Sequence, residues 1–164
     1  MQPDFLVEIL TACRSAGIGT AVDTCGCVPT ELFDRLRGLV DLYLYDVKLV
    51  DDRLHKHYTG ASNEVILENL RLLDESHENL WLRVPLIPGV TDTDENLEAI
   101  ARLAASLRHI RRISLLPYNR IGEDKFERLG IDYRPGKKEK QDDTRLRGIA
   151  ARFTAGRFDV RIGG

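Results

Sequence analysis

Short apolar runs alternate with amphipathic segments along this chain, and that alternation limits the folds open to it. Strand-like runs occur at 18–24, 40–49, 80–89, 111–119 and 158–162. Segments with helical spacing of apolar residues occur at 3–16, 29–38, 51–60, 63–76, 92–109 and 142–154, with a short one at 123–130. Because right-handed crossovers join such strands, the order predicts an α/β fold with a mostly parallel sheet. Periodicity alone leaves open whether the sheet closes into a barrel.

Composition is that of a globular protein and excludes several classes of partner. The 164 residues fit one domain, because a single hydrophobic core grows to this size. The 24 basic and 26 acidic residues are too balanced for a nucleic-acid-binding footprint. The N-terminal segment MQPDFLVEIL does not resemble a signal peptide, and no apolar run has the length of a membrane span. We therefore expect a cytoplasmic protein without nucleic-acid or membrane partners.

The apolar patterns also predict what is buried. The first helix carries an apolar stripe of Phe5, Leu6, Ile9, Leu10 and Cys13, which predicts a face packed on the core. The strand-like run at 40–49 is apolar on both parities, which is typical of a strand covered on both faces.

The three cysteines do not indicate a metal site. They are Cys13, Cys25 and Cys27, an odd number that does not suit a disulfide framework, so we expect free thiols. Clusters and zinc are bound by sets of three or four ligands, and the Cys25–Gly26–Cys27 pair has no second pair downstream. Asp23, two residues before this pair, is the residue of greater interest.

Polar residues follow the ends of four consecutive predicted strands. They are Asp23 and Thr24, Asp46 and Lys48, Arg83 within the third run, and Tyr118 and Asn119. Ligands of parallel α/β sheets bind beyond the carboxyl ends of the strands, so these residues predict one shared site. Taken singly, each has a structural alternative. An aspartate after a strand is often a turn or helix cap, Arg83 could be a buried partner for an internal carboxylate, and Lys48 could be the first solvated residue after its strand.

The residue types indicate the kind of ligand. Asp23 and Asp46 offer hard oxygens that can share a cation, and Lys48 and Arg83 offer donors for a carboxylate or a phosphate. His55 and His57 lie in a helical segment and project to different faces, so we do not expect a metal site there.

Five collinear motifs carry a resemblance to a known family. VDTCG, LYDVK, HYTGASN, WLRVPLIPG and SLLPYN resemble those of the glycyl-radical-enzyme activating enzymes of the radical S-adenosylmethionine superfamily, such as the pyruvate formate-lyase activating enzyme. The resemblance implies part of a six-unit β/α partial barrel. It also implies S-adenosylmethionine cleavage on a 4Fe–4S cluster and radical transfer to the glycine of a partner such as a pyruvate formate-lyase.

The resemblance also implies roles for particular residues. Asp23 and Asp46, with backbone carbonyls near Thr24 and Leu44, would hold a monovalent cation beside the cofactor. Lys48 and Arg83 would reach the methionine end of S-adenosylmethionine. The adenosine side would be met by Asn119, where the best-known member has a histidine.

The chain departs from the family at one important point. The family's three cluster cysteines and its Gly-Gly-Glu segment have no counterpart in this sequence. We therefore expect residues 1–164 to correspond to the carboxyl-terminal portion of the partial barrel and to be inactive alone, as part of a larger enzyme, as one chain of a split enzyme, or as the product of a truncated reading frame. We further expect an open sheet of four or five strands, whose first strand is an exposed edge prone to self-association.

Two alternatives come from other functional classes. Lys48 at a strand end could form a Schiff base in an aldolase or lyase. The exposed edge could instead make the chain a non-catalytic module that binds a partner by strand addition.

Overall fold

The fold contains the predicted alternation of helices and strands. The structure is a computed structural model that describes residues 2–76, 79–119, 128–130, 136, 138–154 and 158–163. The described strands are β1 (Ala21–Thr24), β2 (Leu42–Asp46), β3 (Leu80–Leu86), β4 (Arg112–Pro117) and β5 (Asp159–Ile162). The described helices are α1 (Pro3–Ser15), α2 (Glu31–Leu36), α3 (Asp52–Thr59), α4 (Glu64–Ser76), α5 (Asp94–Ser106) and α6 (Asp143–Thr154).

The sheet is open and entirely parallel. Its five strands follow one another in sequence order, β1-β2-β3-β4-β5. Each of the four ladders is parallel, and within the described ranges β1 and β5 pair with one neighbour only. The prediction of an open sheet of four or five strands is confirmed.

Sequential parallel strands put their crossover helices on one side of the sheet, because every crossover has the same hand. The buried side chains of the strands alternate accordingly, as in Tyr43 and Tyr45 of β2 and Leu82 and Val84 of β3. They pack with helix residues into one cluster that includes Leu36, Leu70, Leu97, Ile100, Ile149 and Phe153. The alternate residues of β2, such as Leu44, stay half-buried, so the expectation that β2 is covered on both faces is wrong.

Helix α1 has the predicted bounds but not the predicted burial. Leu10 is its one buried residue, whereas Phe5 is 61% exposed and Ile9 is 44% exposed. Cys13 is half-buried. The apolar stripe is therefore only partly covered, because α1 precedes the edge strand β1, and no strand in the described residues pairs with the other side of β1.

The loop after β1 is shaped by a close approach between Gly26 and Tyr45. The Tyr45 hydroxyl donates a hydrogen bond to the carbonyl of Ile66 at 2.6 Å, and the end of the tyrosine ring lies against Gly26 of the loop. A Cβ on Gly26 would lie 1.6 Å from the Tyr45 hydroxyl oxygen, and Gly26 has φ +71°. Burial, and to a smaller extent the neighbouring Cys25 and Cys27, raises the pKa of Tyr45 above its usual value. The glycine between the two cysteines thus has a structural role.

Two further sequence features concern membrane spanning and the segment after β4. Among the described residues, no helix combines the length and apolar character needed to cross a bilayer. The predicted short helix at 123–130 and the loop at 133–136 fall largely outside the described residues.

Replacing Gly26 by alanine is expected to destabilise the fold more than replacing Gly17. Both have a positive φ, +71° and +69°, but a Cβ at Gly17 has nothing within 4 Å. Gly17→Ala should therefore lower the free energy of unfolding by about 1 kcal/mol for the left-handed backbone alone. Gly26→Ala should lower it by about 3 kcal/mol, because the Tyr45 ring must also move. Urea unfolding followed by circular dichroism measures both, and equal losses would contradict the close approach.

Candidate functional site

One face of the sheet stays accessible, and we call it the open face. Residues in register on neighbouring parallel strands project to the same side, and the ladders pair Asp46 with Arg83 and Arg83 with Ser114. The open face consists of Ala21, Asp23, Leu42, Leu44, Asp46, Trp81, Arg83, Pro85, Arg112, Ser114, Leu116, Asp159 and Arg161. It therefore includes three of the residues that the sequence assigned to one site.

Those three residues form a charged row across β1, β2 and β3. The Nε of Arg83 donates to Oδ1 of Asp46 at 2.7 Å, and its Nη2 donates to Oδ1 of Asp23 at 2.5 Å. Burial alone would lower the pKa of Arg83, but hydrogen bonds and charges from Asp46 and then Asp23 outweigh it and raise the pKa. Arg83 is therefore a fixed cation between two carboxylates.

The row differs from a metal site in one respect. A guanidinium lies between the carboxylates of Asp23 and Asp46, where the sequence predicted a shared cation. The Thr24 hydroxyl accepts a hydrogen bond from the backbone nitrogen of Gly26 at 2.9 Å. In the described ranges, no group of three or more histidine, cysteine, aspartate or glutamate side chains is arranged to hold a metal ion. The monovalent cation stays a prediction.

Lys48 and Asn119 lie just beyond the carboxyl ends of β2 and β4, at the same edge of the sheet. Lys48 is half-buried two residues after β2, and Asn119 is exposed two residues after β4. The loop that carries Lys48 is held by Asn96, whose Nδ2 donates to the Lys48 carbonyl at 2.9 Å and whose Oδ1 accepts from the nitrogen of Val50 at 3.1 Å. The structure thus fixes the backbone at Lys48 close to the carboxyl end of β2.

The HYTGASN motif has a structural role beside this loop. The Nδ2 of Asn63 donates to the carbonyls of Leu49 and Val50 at 2.9 and 2.8 Å. His55 is buried, and its Nδ1 lies 2.8 Å from the carbonyl of Ala61. Gly60, with φ +82°, ends α3 and turns the chain towards α4. The motif therefore holds the loop after β2 in position.

A second charged row was missed by the sequence reasoning. Arg112 stacks its guanidinium 3.9 Å from the ring centre of Trp81, and its Nε donates to Asp159 at 3.0 Å. Arg161 donates to the other oxygen of Asp159 at 2.9 Å. The signal was present in β4 and β5, where polar residues recur at every second position. This row lies on the open face nearer the amino ends of the strands.

The cysteines do not form a ligand set. Cys13 and Cys25 are half-buried, Cys27 is exposed, and all three are free thiols. Together with the absence of a metal-binding group in the described segments, this means that the residues present do not fit an iron–sulfur cluster.

Comparison with known proteins gives a consistent family. The profile of the Radical SAM superfamily matches residues 1–104. The trans-4-hydroxy-L-proline dehydratase activating enzyme of Clostridioides difficile is 38% identical over 163 residues, which cover 98% of this chain and 54% of that protein. The choline trimethylamine-lyase activating enzyme of Oleidesulfovibrio alaskensis is 40% identical over 136 residues, which cover 81% of this chain and 44% of that protein. The chain thus spans about half the length of the curated relatives it matches.

A solved structure agrees over nearly all of both chains. The crystal structure of a domain of the pyruvate-formate lyase-activating enzyme from Bacteroides vulgatus superimposes with a TM-score of 0.83 and 30% identity. The superposition covers 99% of this chain and 92% of that one. The chain therefore belongs to the radical SAM superfamily, within its group of activating enzymes for glycyl radical enzymes.

Proposed function

We propose that this chain is the S-adenosylmethionine-binding part of an activating enzyme that installs a glycyl radical on a partner enzyme. The observation that carries the proposal is the row Asp23–Arg83–Asp46 on the open face, in a chain of this family. The named relatives are activating enzymes, which does not favour the alternative of a Schiff-base aldolase on Lys48. They equally support a glycyl radical enzyme as the partner.

The open face offers both signs of charge, as the methionine end of S-adenosylmethionine requires. That end carries a carboxylate, an ammonium group and a sulfonium. Arg83 and Lys48 can donate to the carboxylate, and the exposed carboxylate of Asp23 can attract the cationic groups. Asn119 supplies an amide towards the adenosine. Bound S-adenosylmethionine supplies the radical chemistry, and the residues of this chain bind and orient it.

The iron–sulfur cluster of the superfamily does not fit the described residues, and we derive no step through it. We propose that its ligands belong to a part of the enzyme that these residues do not include. The support is that the chain covers 54% and 44% of the two relatives named above. In that case these residues bind the cofactor but do not generate the radical alone.

We also propose a monovalent cation at Asp23 and Asp46, with the backbone carbonyls of Thr24 and Leu44 as further ligands. Oxygen atoms of this kind suit a hard cation. Since Arg83 bridges the two carboxylates, a metal ion would have to take the Asp23 carboxylate from its guanidinium.

A contact surface is proposed at the first strand. Phe5, Ile9 and Ile18 are 61%, 44% and 58% exposed, and within the described residues β1 pairs with β2 only. We call these three side chains and the free side of β1 the α1 edge surface. Exposed apolar side chains next to an unpaired strand edge favour association. We propose that a second copy of the chain binds there when the chain is alone.

Arg83→Gln is expected to weaken the binding of S-adenosylmethionine by about 10- to 100-fold, as loss of a charged hydrogen bond does. Isothermal titration calorimetry on the full chain measures the dissociation constant. Arg102→Gln is the matched control, because Arg102 pairs with Glu98 on the surface of α5. Equal affinities of the wild type and Arg83→Gln, or no binding by the wild type, would contradict the proposal.

Anaerobic reconstitution with iron and sulfide tests the assignment of the cluster ligands. No stoichiometric cluster absorbance is expected on this chain, because Cys13, Cys25 and Cys27 are not gathered into a ligand set. The triple serine variant of these cysteines should bind the same small amount of iron. A full cluster that disappears in the triple variant would refute our interpretation of the cysteines.

Ile9→Lys is expected to reduce self-association, since it puts a charge on the α1 edge surface. Leu54→Lys is the matched control, because Leu54 of α3 has a similar exposure, 45% against 44%. Sedimentation velocity over a range of concentrations should detect a dimer for the wild type and for Leu54→Lys, and less dimer for Ile9→Lys. A wild type that stays monomeric throughout would rule out this contact.

A further inference from the structure

The two contacts of Arg83 are unequal. The side chains of Arg83 and Asp46 are 17% and 18% exposed, so their pair is shielded from water. The side chain of Asp23 is 61% exposed. Exposed ion pairs contribute little net free energy, whereas removing one partner of a buried pair leaves a poorly hydrated charge. The contact with Asp46 therefore anchors the guanidinium, and the contact with Asp23 is the one that can exchange.

The strand register places Asp23 at the outer end of this arrangement. Asp46 is the registered neighbour of Arg83, but the registered neighbour of Asp23 is Leu44, two residues before Asp46 on β2. Arg83 therefore reaches past β2 to the edge strand β1. Its Nη2 meets Asp23 at the more exposed end of the row, where the Asp23 carboxylate is accessible to water.

The hydrogen bonds of the guanidinium allow a one-for-one replacement. Each aspartate accepts through one oxygen from one nitrogen of Arg83, rather than through a bidentate pair. A ligand carboxylate at Nη2 replaces the bond to Asp23 by an equivalent charge-assisted bond. The displaced Asp23 carboxylate is already exposed, so water hydrates it at little cost.

We infer that Asp23 is an internal competitor for the ligand carboxylate: it holds the Nη2 position of Arg83 in the empty site and gives it up when the ligand binds. This inference rests on the proposed function. Asp46 is then a positioning residue, which keeps the guanidinium in place in both states. Asp23 sets how strongly the site favours ligands that carry a carboxylate over those that lack one.

The test compares S-adenosylmethionine with decarboxylated S-adenosylmethionine by calorimetry on the full chain. Tetramethylammonium is the only added cation, so that no metal ion takes up the carboxylates. For Asp23→Asn, the preference for S-adenosylmethionine over the decarboxylated compound should rise about two- to fivefold, which is the strength of an exposed ion pair. Loss of the negative charge of Asp23 by itself also raises this ratio, because the decarboxylated compound carries one more positive charge than S-adenosylmethionine. Asp23→Asn is therefore also made together with Arg83→Gln, where this general effect remains and the competition for Nη2 does not, and the rise should be smaller there.

Two variants complete the design. Asp46→Asn should weaken the binding of S-adenosylmethionine by about tenfold or more, because the guanidinium of Arg83 loses its largely buried carboxylate partner. Asp4→Asn is the matched control. It removes an exposed ion pair between Asp4 of α1 and Arg35 of α2, so the affinity for either ligand should stay the same. A ratio that is unchanged or lower in Asp23→Asn, or that rises equally when Arg83→Gln is also present, would overturn the inference while leaving the proposed function intact. Failure of both ligands to bind the wild type would overturn the proposed function and the inference together.

Discussion

The fold depends on one constraint, which is that every strand runs parallel to its sequence neighbour. With the order β1-β2-β3-β4-β5 and crossovers of one hand, the helices gather on one side of the sheet. The other side then carries whatever the alternate residues of the strands provide. In this chain those residues include Asp23 and Asp46 near the carboxyl ends of β1 and β2, and Arg83 in the middle of β3. The open face and its charges are thus consequences of the same topology.

Charges on a half-buried face need partners, and the two rows show how this chain supplies them. Arg83 is neutralised by Asp46 and Asp23, and Arg112 and Arg161 share Asp159. The first row has two acids for one base, and its exposed member is an aspartate. The row therefore exposes the negative Asp23 carboxylate to solvent, and the less exposed Arg83 guanidinium lies next to it. Neighbouring groups of opposite charge suit a zwitterionic ligand.

The sequence predicted the elements well, because their signals are local. The apolar runs at 18–24, 40–49, 80–89, 111–119 and 158–162 each contain a strand of the structure, and the helical spacing over 3–16 and 63–76 corresponds to α1 and α4. The sequence also predicted that Asp23, Asp46 and Arg83 lie close together, as their ion pairs show, and their role in binding a ligand stays a prediction. The exposure of Phe5 was missed, because periodicity shows that a helix has an apolar face but not whether another element covers it. The sequence left open that Arg83 is a buried partner of a carboxylate. It did not identify Asp46 and Asp23 as the partners, because that depends on side-chain reach across two strands.

The central proposal is that the open face and the adjoining strand ends bind S-adenosylmethionine. The most direct measurement is a titration of the isotope-labelled chain with S-adenosylmethionine, followed by nuclear magnetic resonance of the backbone amides and of the Arg83 Nε–H. The account predicts that the Arg83 signal and the amides of Asp23 and Asp46 shift together, with one dissociation constant, while those of Ile100 and Ile149 in the helical layer do not. Shifts confined to the helical layer, or an Arg83 signal that does not respond to saturating ligand, would contradict it.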